Sequence, residues 1–444
     1  MFIRLYGRKF LGVYTINDKT VNIVVGIVVP VSVFLILFAV VLKICYRKKP
    51  YLNEDPEMHE EYLGNTDKWR ISQNSFKLGK QIGEGAFGYV FIAKINAEEL
   101  GKMKHAIQQG GALLTQNNSS VSFAVKFSKD ESKQDKFKKE IDLMKEIQGH
   151  KNILNMIGYS EYNSQLCLIV EFMENGNLLE YLTEFRKQIC TPNIDGSSTS
   201  YINPDNHHYN EICTLNIDGS STSYINQAFH QSNETPITEN FLLPFVYNEN
   251  QLENGNLTPV DILRFAMQIA SGMDYLSSKN IVHRDLAARN ILVNEIKNVK
   301  LSDFGLARKM SAKDMNYMSQ NVEHLPIKWM SIEALNDHMF TASSDVWAYG
   351  VVLFEIVTLG GAPYPTIKNE DFLEYLKTGN RMEKPNNCSN LMYQVMLSCW
   401  DKVPAQRPTF TKLDKYFYEI ICIGGNYLSF NIDQNSCYYK ATEK

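Results

Sequence analysis

The chain has 444 residues, 44% of them hydrophobic, with a formal net charge of −4 and eight cysteines. That length supports two or three domains with sizeable cores, and a near-neutral charge without a clustered basic face excludes nucleic acid as an expected partner. The cysteines form no CxxC pair and no closely spaced Cys/His set, which argues against a zinc site or a disulfide framework and for reduced thiols, most of them in the core.

In chain order, the first element is the uncharged run "TVNIVVGIVVPVSVFLILFAVVL" at residues 20–42. As a helix it would extend about 34 Å, against a hydrocarbon core of ~30 Å. Apolar all round and ending in Lys43, Arg47, Lys48 and Lys49, it is expected to be a transmembrane helix. Arg4, Arg8, Lys9 and Lys19 balance that basic edge, so the positive-inside rule does not orient the span. Residues 43–75 are acidic, contain proline and are expected to be a juxtamembrane linker. Cys45, at the basic edge, is a candidate for palmitoylation.

From Phe76 the pattern changes to strands broken by glycine. "VSFAVKF" places Val121, Phe123, Val125 and Phe127 on one face and Ser122, Ala124 and Lys126 on the other, as a period of two requires. "DKFKKEIDLMKEI" reads as a helix with Phe137, Ile141 and Met144 in its apolar stripe. Glu140 falls on the same stripe, and an inward acid asks for a buried cation.

Helices dominate from Thr258. Thr258 is the expected N-cap, with Pro259 in the first helical position, Asp261 closing a capping box, and Ile262, Phe265, Ile269, Met273 and Leu276 at helical spacing. Between the small β-rich part and this helical part lie residues 187–256, rich in Asn and Ser, in which "NIDGSSTSYIN" occurs at Asn193–Asn203 and again at Asn216–Asn226. With little apolar surface to bury, this insert is expected to be disordered. Lengthening a ~5-residue turn to ~70 residues costs only about 2 kcal/mol.

The motifs that carry chemistry appear in a fixed order. "GEGAFGYV" supplies Gly83, Gly85, Gly88 and Val90 after an apolar strand; glycines let backbone amides approach phosphates, but the string alone is weakly specific. No helix follows its last glycine; a second strand does, and then Lys126 in "FAVK". A lysine on the ligand side of a strand, with Glu140 inward on the next helix, is an ion pair suited to gripping α- and β-phosphates. "HRDLAARN" at His283–Asn290 and "DFG" at Asp303–Gly305 follow. Phosphoryl transfer needs a carboxylate that orients the attacking hydroxyl, and metal ligands that neutralise the transferring phosphate. Asp285 fits the first role; Asn290 and Asp303 fit the second.

With these motifs, residues 76–420 resemble a protein kinase domain interrupted by the insert. The fold this implies is α+β and bilobal, a small β-rich N-lobe and a larger helical C-lobe, added to one transmembrane helix. "LAAR" and "LPIKWM" resemble the tyrosine-specific group: serine/threonine kinases usually carry lysine where this chain has Ala287. By that resemblance Arg289 takes over the lysine's charge, and Pro326 shapes the wall that admits a tyrosine ring. The resemblance also implies ATP contacts from Ile82, Gly83, Gly85, Gly88, Val90, Ala124, Lys126, Val170, Glu171, Met173 and Leu292. Val170 would be the gatekeeper, and Glu171 and Met173 the backbone partners of adenine. Asp345, Trp347, Gly350 and Arg407 match later helices of the family. The implied cofactors are ATP and Mg2+, with Mn2+ as an alternative.

A span, a linker and a split kinase domain together resemble receptor tyrosine kinases, especially the platelet-derived, vascular endothelial and fibroblast growth factor receptor group. That implies a plasma-membrane, single-pass protein with residues 1–19 outside and the kinase in the cytosol, acting as a homodimer or with an activating co-receptor. The short outer segment resembles that of receptor-like tyrosine kinases known from nematodes. Residues 96–120 look like a surface insertion, and "SIE" stands where many relatives have A-P-E, with Glu333 free to pair with Arg407. Tyr317 is the one tyrosine between Asp303 and Glu333, a candidate regulatory phosphorylation site with Arg284 as its partner. Tyr201, Tyr224 and Tyr51 each precede x-Asn, which resembles the site read by phosphotyrosine adaptors; residues 421–444 form the tail. The alternative reading is a weakly active or inactive docking scaffold on the same fold.

Overall fold

The computed structural model describes residues 67–84, 88–96, 120–129, 134–190, 257–310, 325–424, 427–430, 432–433 and 435–440. The expected span at 20–42, Cys45, Gly85, Tyr51, Tyr201, Tyr224 and Tyr317 lie outside these residues. Among the described residues no helix is long and apolar enough to cross a membrane.

Five antiparallel strands form the first lobe: β1 (Phe76–Glu84), β2 (Gly88–Asn96), β3 (Ser120–Ser128), β4 (Met156–Tyr162) and β5 (Gln165–Glu171), in the order β1-β2-β3-β5-β4. The alternation expected for β3 is present. Phe123, Val125 and Phe127 bury one face with Ile95, Ile157, Cys167 and Ile169, and Val121 packs at its margin. Ala124 faces the other way, into the main core of the molecule. β2 approaches β3 so closely that a Cβ on Gly88 would stand 1.9 Å from the Phe127 carbonyl oxygen; only glycine fits there. Helix α1 (Gln134–Glu146) buries Phe137, Glu140, Ile141 and Met144, the stripe that the sequence marks. The expected insertion between β2 and β3 lies, at 97–119, outside the described residues.

The second lobe contains α2 (Leu178–Cys190), α3 (Pro259–Ser278), short strands β6 (Ile281–Val282), β7 (Ile291–Val293), β8 (Val299–Leu301) and β9 (Arg308–Lys309), and helices α4 (Ile332–Asp337), α5 (Ala342–Val357), α6 (Asn369–Lys377), α7 (Asn390–Cys399), α8 (Phe410–Ile423) and α9 (Cys437–Lys440). α5 is buried at every residue from Ser344 to Val357, as expected of a helix with no polar face, and the lobe is built around it. α3 starts with the expected capping box: Thr258 accepts from the Asp261 amide, and the Asp261 carboxylate accepts from the Thr258 amide over 2.9 Å. Its five marked apolar residues are all buried.

Four boundaries and assignments differ from the sequence reading. The linker does not run to residue 75, because Trp69 and Ile71 are buried and run beside β4. The Tyr159 amide donates to the Trp69 carbonyl over 2.9 Å and the Ile71 amide to the Tyr159 carbonyl over 2.8 Å, covering the open edge of the sheet. The expected insert loses its first four residues to α2, since Ile189 continues the helix's apolar stripe against the core. α8 runs to Ile423, and the expected tail returns to bury Tyr439. Of the six described cysteines, all free, Cys167, Cys388 and Cys399 are buried while Cys422 and Cys437 are exposed, so the core holds half of them rather than most.

Candidate active site

β3 and α1 bring the first pair together. The Lys126 ammonium donates to Glu140 Oε1 over 2.6 Å and to Asp303 Oδ1 over 3.0 Å. The inward acid of α1 therefore has the cation it required, and Asp303 shares it. Burial opposes the charge on Lys126, but the two carboxylates outweigh it and hold the ammonium above its ordinary pKa. Burial likewise works against ionised Asp303; Lys126 overcomes that and keeps this carboxyl below its ordinary pKa. At Glu140 burial wins, and the shift is upward.

Asp303 and Arg284 both take left-handed backbone angles, φ 57° and 68°, a costly conformation for residues other than glycine that persists where surroundings impose it. For Arg284 the surroundings are visible. The buried Asp345 carboxylate on α5 accepts from the His283 amide over 2.7 Å and from the Arg284 amide over 3.0 Å. His283 is fully buried, its Nε2 donates to the Ser302 carbonyl over 3.2 Å, and its Nδ1 accepts from the Asp285 amide over 3.3 Å. Both contacts suit a neutral imidazole, and burial pushes its pKa down.

Asp285 stands at the end of this scaffold. Its carboxylate is bound by the Arg289 guanidinium, and its carbonyl accepts from Asn290 Nδ2 over 2.7 Å. Burial raises the Asp285 pKa, and Arg289 opposes the rise. Asn290 is anchored in turn, because its carbonyl accepts from the Ser302 amide over 2.9 Å and from the Ser302 hydroxyl over 2.8 Å. Ser302 precedes Asp303, so the two candidate metal ligands are tied through one backbone junction.

Of the expected nucleotide contacts, Ala124, Val170 and Met173 belong to one apolar cluster with Val90 and Leu292 at its margin. Ile82 lies on β1 and is 46% exposed, and Gly83 pairs with Val90 across β1 and β2. Glu171 is the last residue of β5. Its side chain is buried and accepts from Lys300 Nζ over 2.7 Å and from the Asn155 amide over 2.7 Å. Arg284 lies 4.3 Å from the Phe340 ring.

Three residues of this neighbourhood escape sequence reasoning. Lys300 is 129 residues from Glu171. Glu355 on α5 accepts at one oxygen from the Ala288 amide and from Trp329 Nε1, each over 3.0 Å, and Trp329 carries the Arg289 guanidinium 4.6 Å above its ring. Nothing local marks any of them; only an inward acid on an otherwise apolar helix hints at Glu355. Glu333, by contrast, makes the expected pair, a two-pronged bridge to Arg407 at 2.6 and 2.8 Å.

Residues 76–417 match the family described as protein tyrosine and serine/threonine kinase. The chain belongs to that family. It is 34% identical over 383 residues to fibroblast growth factor receptor 1 of Xenopus laevis, and 34% identical over 384 residues to fibroblast growth factor receptor 1 of Pleurodeles waltl. Each alignment takes in 85% of this chain and 39% of the relative, so the chain spans well under half the length of these receptors. The kinase domain it carries has the lysine–glutamate pair closed and Asp303 turned toward the lysine.

Proposed function

We propose that the chain is a membrane-anchored protein tyrosine kinase that transfers the γ-phosphoryl group of ATP to tyrosine hydroxyls of itself and of cytosolic proteins. The observation that carries this reading is Lys126 bridged at once to Glu140 and Asp303, with Asp285 held by Arg289. In this reading Lys126 is the cation for the α- and β-phosphates, Asp303 the metal-ligating carboxylate and Asp285 the proton-accepting carboxylate.

The donor set suits Mg2+, or Mn2+ in its place. Asn290 commits its amide nitrogen to the Asp285 carbonyl, leaving its side-chain oxygen, and Asp303 adds a carboxylate. No group of three or more His, Cys, Asp or Glu fit to hold a metal occurs among the described residues. Magnesium is ordinarily held by one or two such oxygens together with substrate phosphates. When bound, the ion neutralises charge on the phosphate. Asp285 orients the acceptor hydroxyl and takes its proton; Arg289 compensates the charge. The apolar margin of Val90 and Leu292, under an exposed Ile82, suits a flat adenine ring, with the carbonyl of Glu171 and the backbone of Met173 reading its edge.

Tyrosine preference rests on the same loop. Alanine, the fully buried Ala287, stands where a serine/threonine kinase would carry a phosphate-directed lysine, and the cation reaches Asp285 from Arg289 instead. Full-length protein in detergent with Mg-ATP is expected to phosphorylate poly(Glu,Tyr) on tyrosine, and Asp285→Asn to lower the rate by about 10²- to 10⁴-fold. Equal rates for the two proteins, or phosphoserine as the product, would defeat the proposal.

The uncharged run at 20–42, together with relatives named as receptors, supports a single-pass plasma-membrane protein with its N-terminus outside. Its partners are then tyrosine-bearing substrates, a second copy of the chain or a co-receptor, and phosphotyrosine adaptors at Tyr51, Tyr201 and Tyr224. Tyr317 is the regulatory site, with Arg284 as its phosphate partner. Adaptor capture that is unchanged in Tyr51→Phe, Tyr201→Phe, Tyr224→Phe protein would remove the docking part of this reading.

A further inference from the structure

The segment after α8 lies beyond the residues that match the kinase family, which end at 417, yet it is built into the helical lobe. The Ser389 amide donates to the Tyr427 carbonyl over 2.9 Å and the Ser429 amide to the Asn387 carbonyl over 3.0 Å. Phe430 meets Phe185 of α2 edge-on at 5.2 Å. At the far end the Ala362 amide donates to the Tyr438 carbonyl over 2.9 Å, and the buried Tyr439 donates its hydroxyl to the Thr358 carbonyl over 2.9 Å. Arg186 on α2, itself 8% exposed, lies 4.2 Å from the Tyr439 ring and donates to the Leu359 carbonyl over 3.1 Å.

The receiving surface is shaped for this segment. A Cβ on Gly361 would come 2.8 Å from the Tyr438 ring, and one on Gly360 2.3 Å from Thr183 of α2. Two consecutive glycines thus admit the segment on one side and α2 on the other.

We infer that residues 427–440 form a strap on the helical lobe and that Tyr439 is a phosphoryl-acceptor site whose modification releases it. The chemistry is asymmetric. The phenol must donate a proton to a carbonyl oxygen; a phosphorylated tyrosine has no such proton and sets negative oxygens against that carbonyl. Burial also holds the hydroxyl above its ordinary pKa, protonated and donating. In an open strap the Tyr439 oxygen attacks the γ-phosphorus of ATP in the active site of a second copy. The new O–P bond forms as the bond to the β-phosphate oxygen breaks, ADP leaves, and the phenolic proton passes to that copy's Asp285. The modified strap cannot reseat, and α2 loses its cover at Phe185 and Arg186.

This rests on the kinase reading above, so the test has two arms. Full-length protein is incubated with Mg-ATP beside a poly(Glu,Tyr) control. In parallel, Asp285→Asn protein is treated with an unrelated broad-specificity tyrosine kinase. Phosphopeptide mapping and hydrogen–deuterium exchange of 178–190 and 427–440 are read in both. Phosphate on Tyr439 and exchange about tenfold faster in both segments are expected, with no ATP response in Tyr439→Phe. Arg186→Ala is expected to speed exchange of 427–440 without ATP. Unchanged exchange with Tyr439 phosphorylated, or an unmodified Tyr439 beside other modified tyrosines, overturns the inference. If poly(Glu,Tyr) stays unlabelled, the kinase reading fails and the second arm still decides the strap.

Discussion

Trp329 and Glu355 are joined by a 3.0 Å hydrogen bond from the indole nitrogen to Oε2, and that bond fixes the ring on which Arg289 rests. The Asp285 carboxylate, the candidate catalytic base, is thus held by a guanidinium, the guanidinium by an indole, and the indole by a buried acid on α5. Replacing Arg289 by Ala removes the cation that opposes the upward shift of Asp285. Its pKa rises further, so the acid limb of the rate–pH profile is expected to move to higher pH and kcat to fall by about 10²-fold. A profile superimposable on the wild type would count against Arg289 as the charge partner.

Glu355 gives a stability prediction with a definite sign. Burial pushes its pKa up from 4.5 to about 7, so the folded protein prefers it protonated. The unfolded chain releases this proton first as pH rises. Stability contributed by the neutral form is full below about 4.5 and is lost as pH approaches 7. In Glu355→Gln the single amide oxygen still accepts from Ala288 and Trp329, and this loss disappears. Melting curves between these pH values should show the variant gaining on the wild type by about 2 to 3 kcal/mol.

Lys126→Met leaves the buried Glu140 and the half-buried Asp303 facing each other without their cation. Breaking a buried ion pair from one side costs about 3 to 5 kcal/mol, so a large drop in Tm is expected along with the loss of activity. Asp303 sharpens the test, since Lys126 holds its pKa below the ordinary value of 3.8. Its share of the stability is present above that value and fades as pH falls. The gap between the two proteins should therefore narrow in acid, and a constant gap would point elsewhere.

Arg407→Met strands Glu333 in the same way, with the arginine side chain wholly buried. A loss of about 3 to 5 kcal/mol is expected, measured by denaturant unfolding. Glu333→Gln with Arg407→Met together should cost less than the sum of the two.

What was legible in the letters was whatever repeats locally. The alternation of β3, the stripe of α1 and the Thr258 capping box depend on residues two to four positions apart, and each is present as read. Glu140 was legible as an anomaly, because an acid among apolar neighbours demands a partner. Glu171 with Lys300, Glu355 with Trp329, and Tyr439 with Thr358 were not. Each joins segments distant along the chain, and of these residues only Glu355, an acid on a largely apolar helix, is out of place in its own neighbourhood. Trp69 and Ile71 were hidden for another reason: two apolar residues in an acidic stretch carry no period.

Ile189 at the end of α2 packs on the core and Leu257 at the start of α3 is buried, while Tyr181 and Phe265 bring the two helices within 6.4 Å ring to ring. Both ends that flank residues 191–256 are thus anchored in the helical lobe. For protein engineering this makes residues 191–256 a socket: reporter domains can be spliced in there, or the polypeptide supplied as two fragments cut there, with the catalytic halves reassembling around the α2–α3 seam.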